Sequence, residues 1–135
     1  MMLSGDLQHP VDLRAQSAAV LRAFAAERKF LVITSKAKKP DIQSTVYMEI
    51  LKDLQSTMGA VNDIREANRA STLFTHLTTV SEGIAVLGWI TIDPKPGDYI
   101  SEMLSSAQFY GNRIINLHKE KSVFFRCSSR FRFGA

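Results

Sequence analysis

Apolar side chains return along this chain at intervals of three and four residues, in four blocks separated by short breaks. From Val11 to about Ala37 the chain is rich in Ala, Leu, Arg and Lys. Leu21, Phe24, Leu31 and Ser35 recur there at helical spacing, and Ala18, Ala25 and Val32 widen the stripe. Pro40 ends the block, because a proline inside a helix removes a backbone donor and clashes with the preceding turn. Lys36, Lys38 and Lys39 sit near that end, where positive charge complements exposed carbonyls. Asp41 is placed to cap a second helix through its carboxylate. Val46, Ile50, Leu54, Met58, Val61 and Ile64 then carry an apolar face to about Asn68. Gly59 lowers helix propensity by about 1 kcal/mol without changing the period.

Ser71 or Thr72 can start a third helix, in which Leu73, Leu77, Val80, Ile84 and Leu87 are spaced 4, 3, 4 and 3. That alternation is the seam pattern of antiparallel bundles. Gly83 and Gly88 remove side chains and allow a neighbouring helix to come close. Trp89-Ile90-Thr91-Ile92 taken alone has the composition of a short strand, but the bundle reading makes Trp89 a core plug at a helix end. Asp93-Pro94-Lys95-Pro96-Gly97 is a break, since two prolines fix φ and a glycine tolerates positive φ. Asp98 then caps a fourth helix with Glu102 in its early turns. Met103, Ala107, Tyr110, Ile114 and Leu117 repeat the 4, 3, 4, 3 spacing. Short connections make sequential neighbours antiparallel, so the pattern predicts an all-α fold, an antiparallel bundle of about four long helices. Leu73, Leu77, Val80, Ile84 and Leu87 should face inward against Phe24, Leu54, Val61, Met103, Tyr110 and Ile114.

A length of 135 residues suits one domain with a single core. No run of eighteen or more apolar residues occurs, so no spanning helix is expected. The first ten residues hold Asp6 and His9 and lack the basic and apolar regions of a secretory signal, which points to the cytoplasm. One cysteine, Cys127, makes no internal disulfide and no zinc site by itself. The formal net charge of +4 is not spread over the chain. Residues 1–117 hold twelve Lys/Arg and twelve Asp/Glu, whereas residues 118–135 hold Lys119, Lys121, Arg126, Arg130 and Arg132 against Glu120. Phe124, Phe125, Phe131 and Phe133 share that segment, so residues 122–135 form a basic-aromatic tail distinct from the rest.

Catalytic chemistry has little support. Glu66, Glu82 and Glu102 fall on different helices, and no phosphate-binding glycine loop or His-Glu-x-x-His run appears. Ser71 and His76 are five apart, off one helical face. His9, His76 and His118 have no metal-ligand spacing. No catalytic, cofactor or metal residues are assigned, and no enzyme is expected. Arg65, Asn68 and Arg69 are different: at i, i+3 and i+4 near the end of the second helix they share a face. A solvated helix end accounts for one of the two arginines, while the planar guanidinium forks suit carboxylate pairing at an interface. Lys95 and Pro96, on the rigid corner before the fourth helix, are a second candidate edge for a partner.

Several ordered elements carry a resemblance. Arg65-Glu66-Ala67-Asn68-Arg69 is followed by Leu73-Phe74-Thr75-His76-Leu77, then Leu87-Gly88-Trp89, then Pro94-Lys95-Pro96-Gly97-Asp98-Tyr99. Glu102-Met103 and Phe109-Tyr110-Gly111-Asn112-Arg113 extend it. From roughly Arg14 to Glu120 the chain resembles the N-terminal helical domain of the adenylyl cyclase-associated proteins, which are actin-turnover factors. Asp98 stands where that family usually has proline, and an aspartate can cap the same helix.

The resemblance implies a normally six-helix domain that binds cofilin-decorated actin and promotes subunit loss at pointed ends. Actin and the cofilin-actin complex are the implied partners, adenylyl cyclase enters by analogy, and self-association is a further expectation. Arg65, Asn68, Arg69, Lys95 and Pro96 are then partner-binding residues. A cytoplasmic, cytoskeleton-associated and cortical placement follows, with no specific nucleic acid partner. Residues 1–121 read as part of the family domain and 122–135 as a tail outside it. The proline-rich, actin-monomer-binding, β-sheet and N-terminal coiled-coil parts of such proteins have no counterpart in this sequence. Two alternatives accompany this reading: a helical scaffold whose basic-aromatic tail binds anionic membrane or nucleic acid, and a truncated product without function.

Overall fold

The computed structural model describes residues 9–37 and 44–119, with side chains from Leu13 onward. Residues 122–135, Cys127, Lys38, Lys39, Pro40 and Asp41 lie outside the described residues, and so do the expectations placed on them. The chain forms α1 (His9–Lys36), α2 (Thr45–Ala67), α3 (Phe74–Ile84), a 3-10 helix (Ala85–Thr91) and α4 (Pro96–Leu117). No strand occurs among the described residues.

Local chemistry sets the helix ends. The cap of α2 is Ser44: its backbone is extended and its hydroxyl accepts the Tyr47 amide at 3.2 Å. At the other end Asn68 donates its side-chain amide to the Ile64 carbonyl at 2.7 Å, which satisfies an acceptor left over by the last turn. A turn in which the Phe74 amide donates to the Ser71 carbonyl leads into α3. The cap position there is Leu73, not Ser71 or Thr72. Beyond Ile84 the chain tightens into the 3-10 helix, so Trp89-Ile90-Thr91 is neither strand nor α-helix. Pro96 opens α4, where its missing amide leaves no orphan donor, and Asp98 stands in the first turn rather than at the cap.

Pairs of contacts give the directions of the helices. Gln16 meets Leu77 and, further along both segments, Glu27 meets Trp89, so α1 runs in the same sense as α3. Gly111 faces Thr79 and Gly88 faces Tyr99, so α4 runs back along α3. Close approach matters at Gly88, where a Cβ would lie 2.7 Å from the Tyr99 hydroxyl that donates to the Ala85 carbonyl. At Gly83 a Cβ would make only an ordinary contact with Ala107.

The core is built from Ala19, Ala23, Leu54, Val61, Ile84 and Leu87, with Leu77 fully buried beside it. Leu54, Val61, Leu77, Ile84, Leu87 and Ile114 face inward as their spacing predicts, and Leu73, Met103 and Tyr110 are half-buried. Phe24 and Val80 do not face inward; they are 51% and 37% exposed. The same correction applies to the whole stripe assigned to α1. Leu21, Leu31 and Val32 point to solvent, as does Val46 of α2. The inward face of α1 is Gln16, Ala19, Ala23, Glu27 and Phe30. Its alanines let α1 lie close to its neighbours, and its two polar residues find partners there: Gln16 donates to the Leu77 carbonyl at 2.9 Å, and Glu27 accepts the Trp89 indole N–H at 2.7 Å. Trp89 is half-buried and fastens the 3-10 helix to α1.

This facing has a direct test. Leu77→Ala should lower unfolding free energy by about 2–5 kcal/mol, the range for a fully buried leucine. Phe24→Ser should change it by no more than about 0.5 kcal/mol, as surface substitutions do. Equal losses in urea unfolding would put the Phe24 face back inside the bundle.

Candidate partner-binding site

Arg65 lies in the last turn of α2, while Asn68 and Arg69 follow its last residue, Ala67, in the turn beyond, and two acidic side chains complete the cluster. Arg65 donates to Oε1 of Glu66 at 2.8 Å and, with its other terminal nitrogen, to Oε1 of Glu82 on α3 at 3.2 Å. The second oxygen of Glu82 accepts the Ser106 hydroxyl of α4 at 2.8 Å. Arg69 donates through Nε to Oε2 of Glu66 at 2.6 Å and closes an ion pair with the same carboxylate. Glu66 thus lies between two guanidinium groups, and those of Arg69 and then Arg65 hold its carboxyl below the usual carboxylate range.

The members differ in what they can offer a partner. Arg65 keeps 19% of its side chain exposed and ties α2 to α3, whereas Arg69 keeps 73%. Asn68 is committed through its amide nitrogen to the Ile64 carbonyl. Lys95 is exposed at the start of α4, with Pro96 half-buried beside it. Ten residues of α4 separate Pro96 from Ser106, which is roughly 15 Å of helix. The two candidate edges therefore occupy different levels of the bundle. Glu66, Glu82 and Ser106 were not assigned from the sequence. The Glu66–Arg69 pair has a readable i, i+3 spacing, but nothing local announces a bond from Arg65 to a glutamate seventeen residues away.

At the α3–α4 side, His76 and His118 bring their rings to a centroid distance of 6.2 Å. Nδ1 of His76 is buried without a hydrogen-bond partner among the described residues. Burial, and secondarily the charge of His118, hold the His76 imidazole below its ordinary value. No group of three or more His, Cys, Asp or Glu side chains suited to a metal ion occurs among the described residues. No described helix is long and apolar enough to cross a membrane. An open groove between α1 and α2 is lined by Ala26, Phe30, Ile33 and Ile50 and bridged by Lys29 and Asp53 at 2.9 Å.

The described residues form an all-helical bundle with an ionic cluster at the end of α2. The chain belongs to the adenylyl cyclase-associated protein (CAP) N-terminal domain family, which it matches over residues 1–124. It is 42% identical over 106 residues to the adenylyl cyclase-associated protein of Schizosaccharomyces pombe, covering 78% of this chain and 19% of that protein. It is 38% identical over 112 residues to adenylyl cyclase-associated protein 2 of Mus musculus, covering 83% and 23%. The chain thus spans about a fifth of the length of the curated relatives it matches. The N-terminal domain of CAP from Dictyostelium discoideum superposes with a TM-score of 0.74 at 34% identity, over 80% of this chain and 60% of that one. A second solved CAP N-terminal domain, described as showing variable oligomerisation, superposes with a TM-score of 0.71 at 36% identity, over 80% and 57%.

Acidification acts on this end of the molecule with a definite sign. Because the folded state favours neutral His76, the unfolded chain binds the proton first; the contribution is complete above the ordinary value of 6.5 and declines as pH falls below it. For Glu66 the contribution is present above its ordinary 4.5 and is lost as pH falls through its depressed value. Thermal melts taken from about pH 7.5 to pH 5 should therefore show a declining Tm, with a shallower slope in His76→Leu, which loses the titrating ring but no Nδ1 hydrogen bond. An identical slope in both chains would exclude His76 as a source of the decline.

Proposed function

We propose that this chain is an actin-binding module that regulates filament turnover, engaging cofilin-decorated actin and promoting loss of subunits at pointed ends. Membership of the CAP N-terminal domain family over residues 1–124 carries the reading. The Arg65-Glu66-Ala67-Asn68-Arg69 run supports it by supplying an ionic cluster at a helix end. Arg65, Asn68, Arg69, Lys95 and Pro96 are the proposed partner-binding residues, with the exposed Arg69 and Lys95 as the reachable charges. Arginine suits such a contact because its fork can pair with a partner carboxylate in two parallel hydrogen bonds. The action is binding rather than covalent chemistry, and it places the chain in the cytoplasm with the cytoskeleton, including its cortical part. The names of the relatives add adenylyl cyclase as a further proposed partner, and the variable oligomerisation described for one solved relative adds self-association. Residues 1–121 constitute the family domain in this reading, and residues 122–135 a separate tail.

Co-sedimentation with bare and cofilin-decorated actin tests this. The full chain and a chain ending at residue 121 should bind decorated actin alike. Arg69→Ala and Lys95→Ala should each weaken binding by about 2–5-fold, the scale of an exposed ionic contact. Unchanged binding in both variants, with helicity and melting preserved, would remove the contact assignment. Absence of binding by the full chain would reject the actin reading, and binding to anionic vesicles lost with residues 122–135 would put the tail in its place.

A further inference from the structure

Two of the runs singled out in the sequence, Leu87-Gly88-Trp89 and Pro94-Lys95-Pro96-Gly97-Asp98-Tyr99, meet in space, although the proposed contacts take only Lys95 and Pro96 from them. Between the two runs the backbone leaves the 3-10 helix at Thr91, turns through Ile92 to Lys95, and enters α4 at Pro96. Residues 91 to 95 are all exposed, and no side-chain hydrogen bond caps the start of α4.

This corner is tied on both sides. Before it, the Trp89 indole donates to Glu27 of α1 at 2.7 Å, and the Ile92 amide donates to the Trp89 carbonyl at 3.0 Å. After it, Tyr99 in the first turn of α4 reaches back and donates its hydroxyl to the Ala85 carbonyl, fourteen residues earlier, at 2.7 Å. That one bond closes the 3-10 helix and the corner into a loop. Gly88 gives the hydroxyl its path. A Cβ at position 88 would lie 2.7 Å from the Tyr99 oxygen, closer than non-bonded atoms approach, but 3.4 Å from Cζ, an ordinary contact. The space left by the glycine is thus matched to a single atom, the hydroxyl, rather than to the ring.

We propose that Tyr99, seated over Gly88, is a positioning residue that holds the corner so that Lys95 is presented in one orientation; the inference rests on the reading of Lys95 as a contact to decorated actin. A preset corner lowers the ordering cost that binding would otherwise carry. The effect is confined to this edge. Arg69 stands at another level of the bundle, and its described bonds go to Glu66, not to the 3-10 helix or the first turn of α4.

The test is a mutant cycle in the full chain, read as affinity for cofilin-decorated actin by co-sedimentation, with amide hydrogen exchange of the chain alone alongside. Tyr99→Phe keeps the ring and removes the bonded hydroxyl. Exchange across residues 89–100 should rise several-fold while α2 is unchanged. Binding should weaken by about 2–5-fold, no more than in Lys95→Ala, because the hydroxyl acts only through that edge. Tyr99→Phe should add nothing to a chain carrying Lys95→Ala and should keep its full effect in one carrying Arg69→Ala, a pattern that general loosening of the bundle does not give. Gly88→Ala should weaken binding and lower Tm in the native background but cost little in a chain carrying Tyr99→Phe, where the oxygen it would strike is gone. Native affinity in Tyr99→Phe, a loss that persists in the Lys95→Ala background, or an equal cost of Gly88→Ala with and without the hydroxyl would overturn the proposal. So would unchanged exchange at the corner, lost helicity in Tyr99→Phe, or native affinity in Lys95→Ala, which would leave no edge to position. Failure of the native chain to bind decorated actin is a different result: it rejects the actin reading and removes this inference along with it.

Discussion

The register of the bundle depends on the Glu82 carboxylate, which takes the Arg65 guanidinium of α2 on one oxygen and the Ser106 hydroxyl of α4 on the other. Apolar stripes of Leu, Ile and Val would tolerate a slip of one turn, because each turn offers a similar surface. A polar group that must meet named partners does not, which is how single polar residues fix alignment in helical cores. Gln16 plays the matching part for α1. Its buried amide donates to the Leu77 carbonyl and the Ser81 hydroxyl, and that hydroxyl in turn donates to the Val61 carbonyl of α2. The central α3 is thus tied by polar contacts to all three other helices. Breaking one such tie costs more than making it contributes, because the abandoned partner stays partly desolvated.

Against that framework, the sequence was legible where large apolar residues and the packed face coincide. Leu54 and Val61 in α2, Leu77, Ile84 and Leu87 around α3, and Ile114 in α4 are all buried on the side their spacing indicates. It misled in α1, where Leu21, Phe24 and Leu31 form an exposed stripe and the packed face holds two alanines, a glutamine, a glutamate and Phe30. Counting bulk favours Phe24 over Ala23, whereas close helix approach favours the small side chain. Gln16 is satisfied by Leu77 and Ser81, and Glu27 by Trp89, residues more than sixty positions away. Local sequence carries no trace of those bonds. The shift from α-helix to 3-10 helix after Ile84 was hidden for a related reason: the 4, 3 spacing runs to Leu87 through both.

The candidate site divides in the same way. Arg65 and Arg69 do meet on Glu66, but α2 ends at Ala67, so Asn68 and Arg69 stand in the turn beyond the helix and the division of labour among the three was not readable from helical spacing. Arg65 is spent on Glu66 and on Glu82 of α3, and Glu82 in turn accepts Ser106 of α4. The run therefore combines a structural brace with an exposed charge, and residue type alone does not separate them.

That division constrains how Arg69 can act. Its guanidinium already pairs with Glu66, so a partner carboxylate does not meet a bare cation; it has to replace or share an existing acceptor. Exchange of one carboxylate for another yields little net free energy at a site 73% exposed, where such pairs are individually weak. Glu66 would keep Arg65 as a partner, however, so releasing Arg69 leaves no acid unpaired and breaks no tie between helices. Releasing Arg69 would therefore not loosen the bundle, and in the proposed contact it would supply orientation more than affinity. Tight binding through this face must draw on apolar or additional polar contacts beyond it.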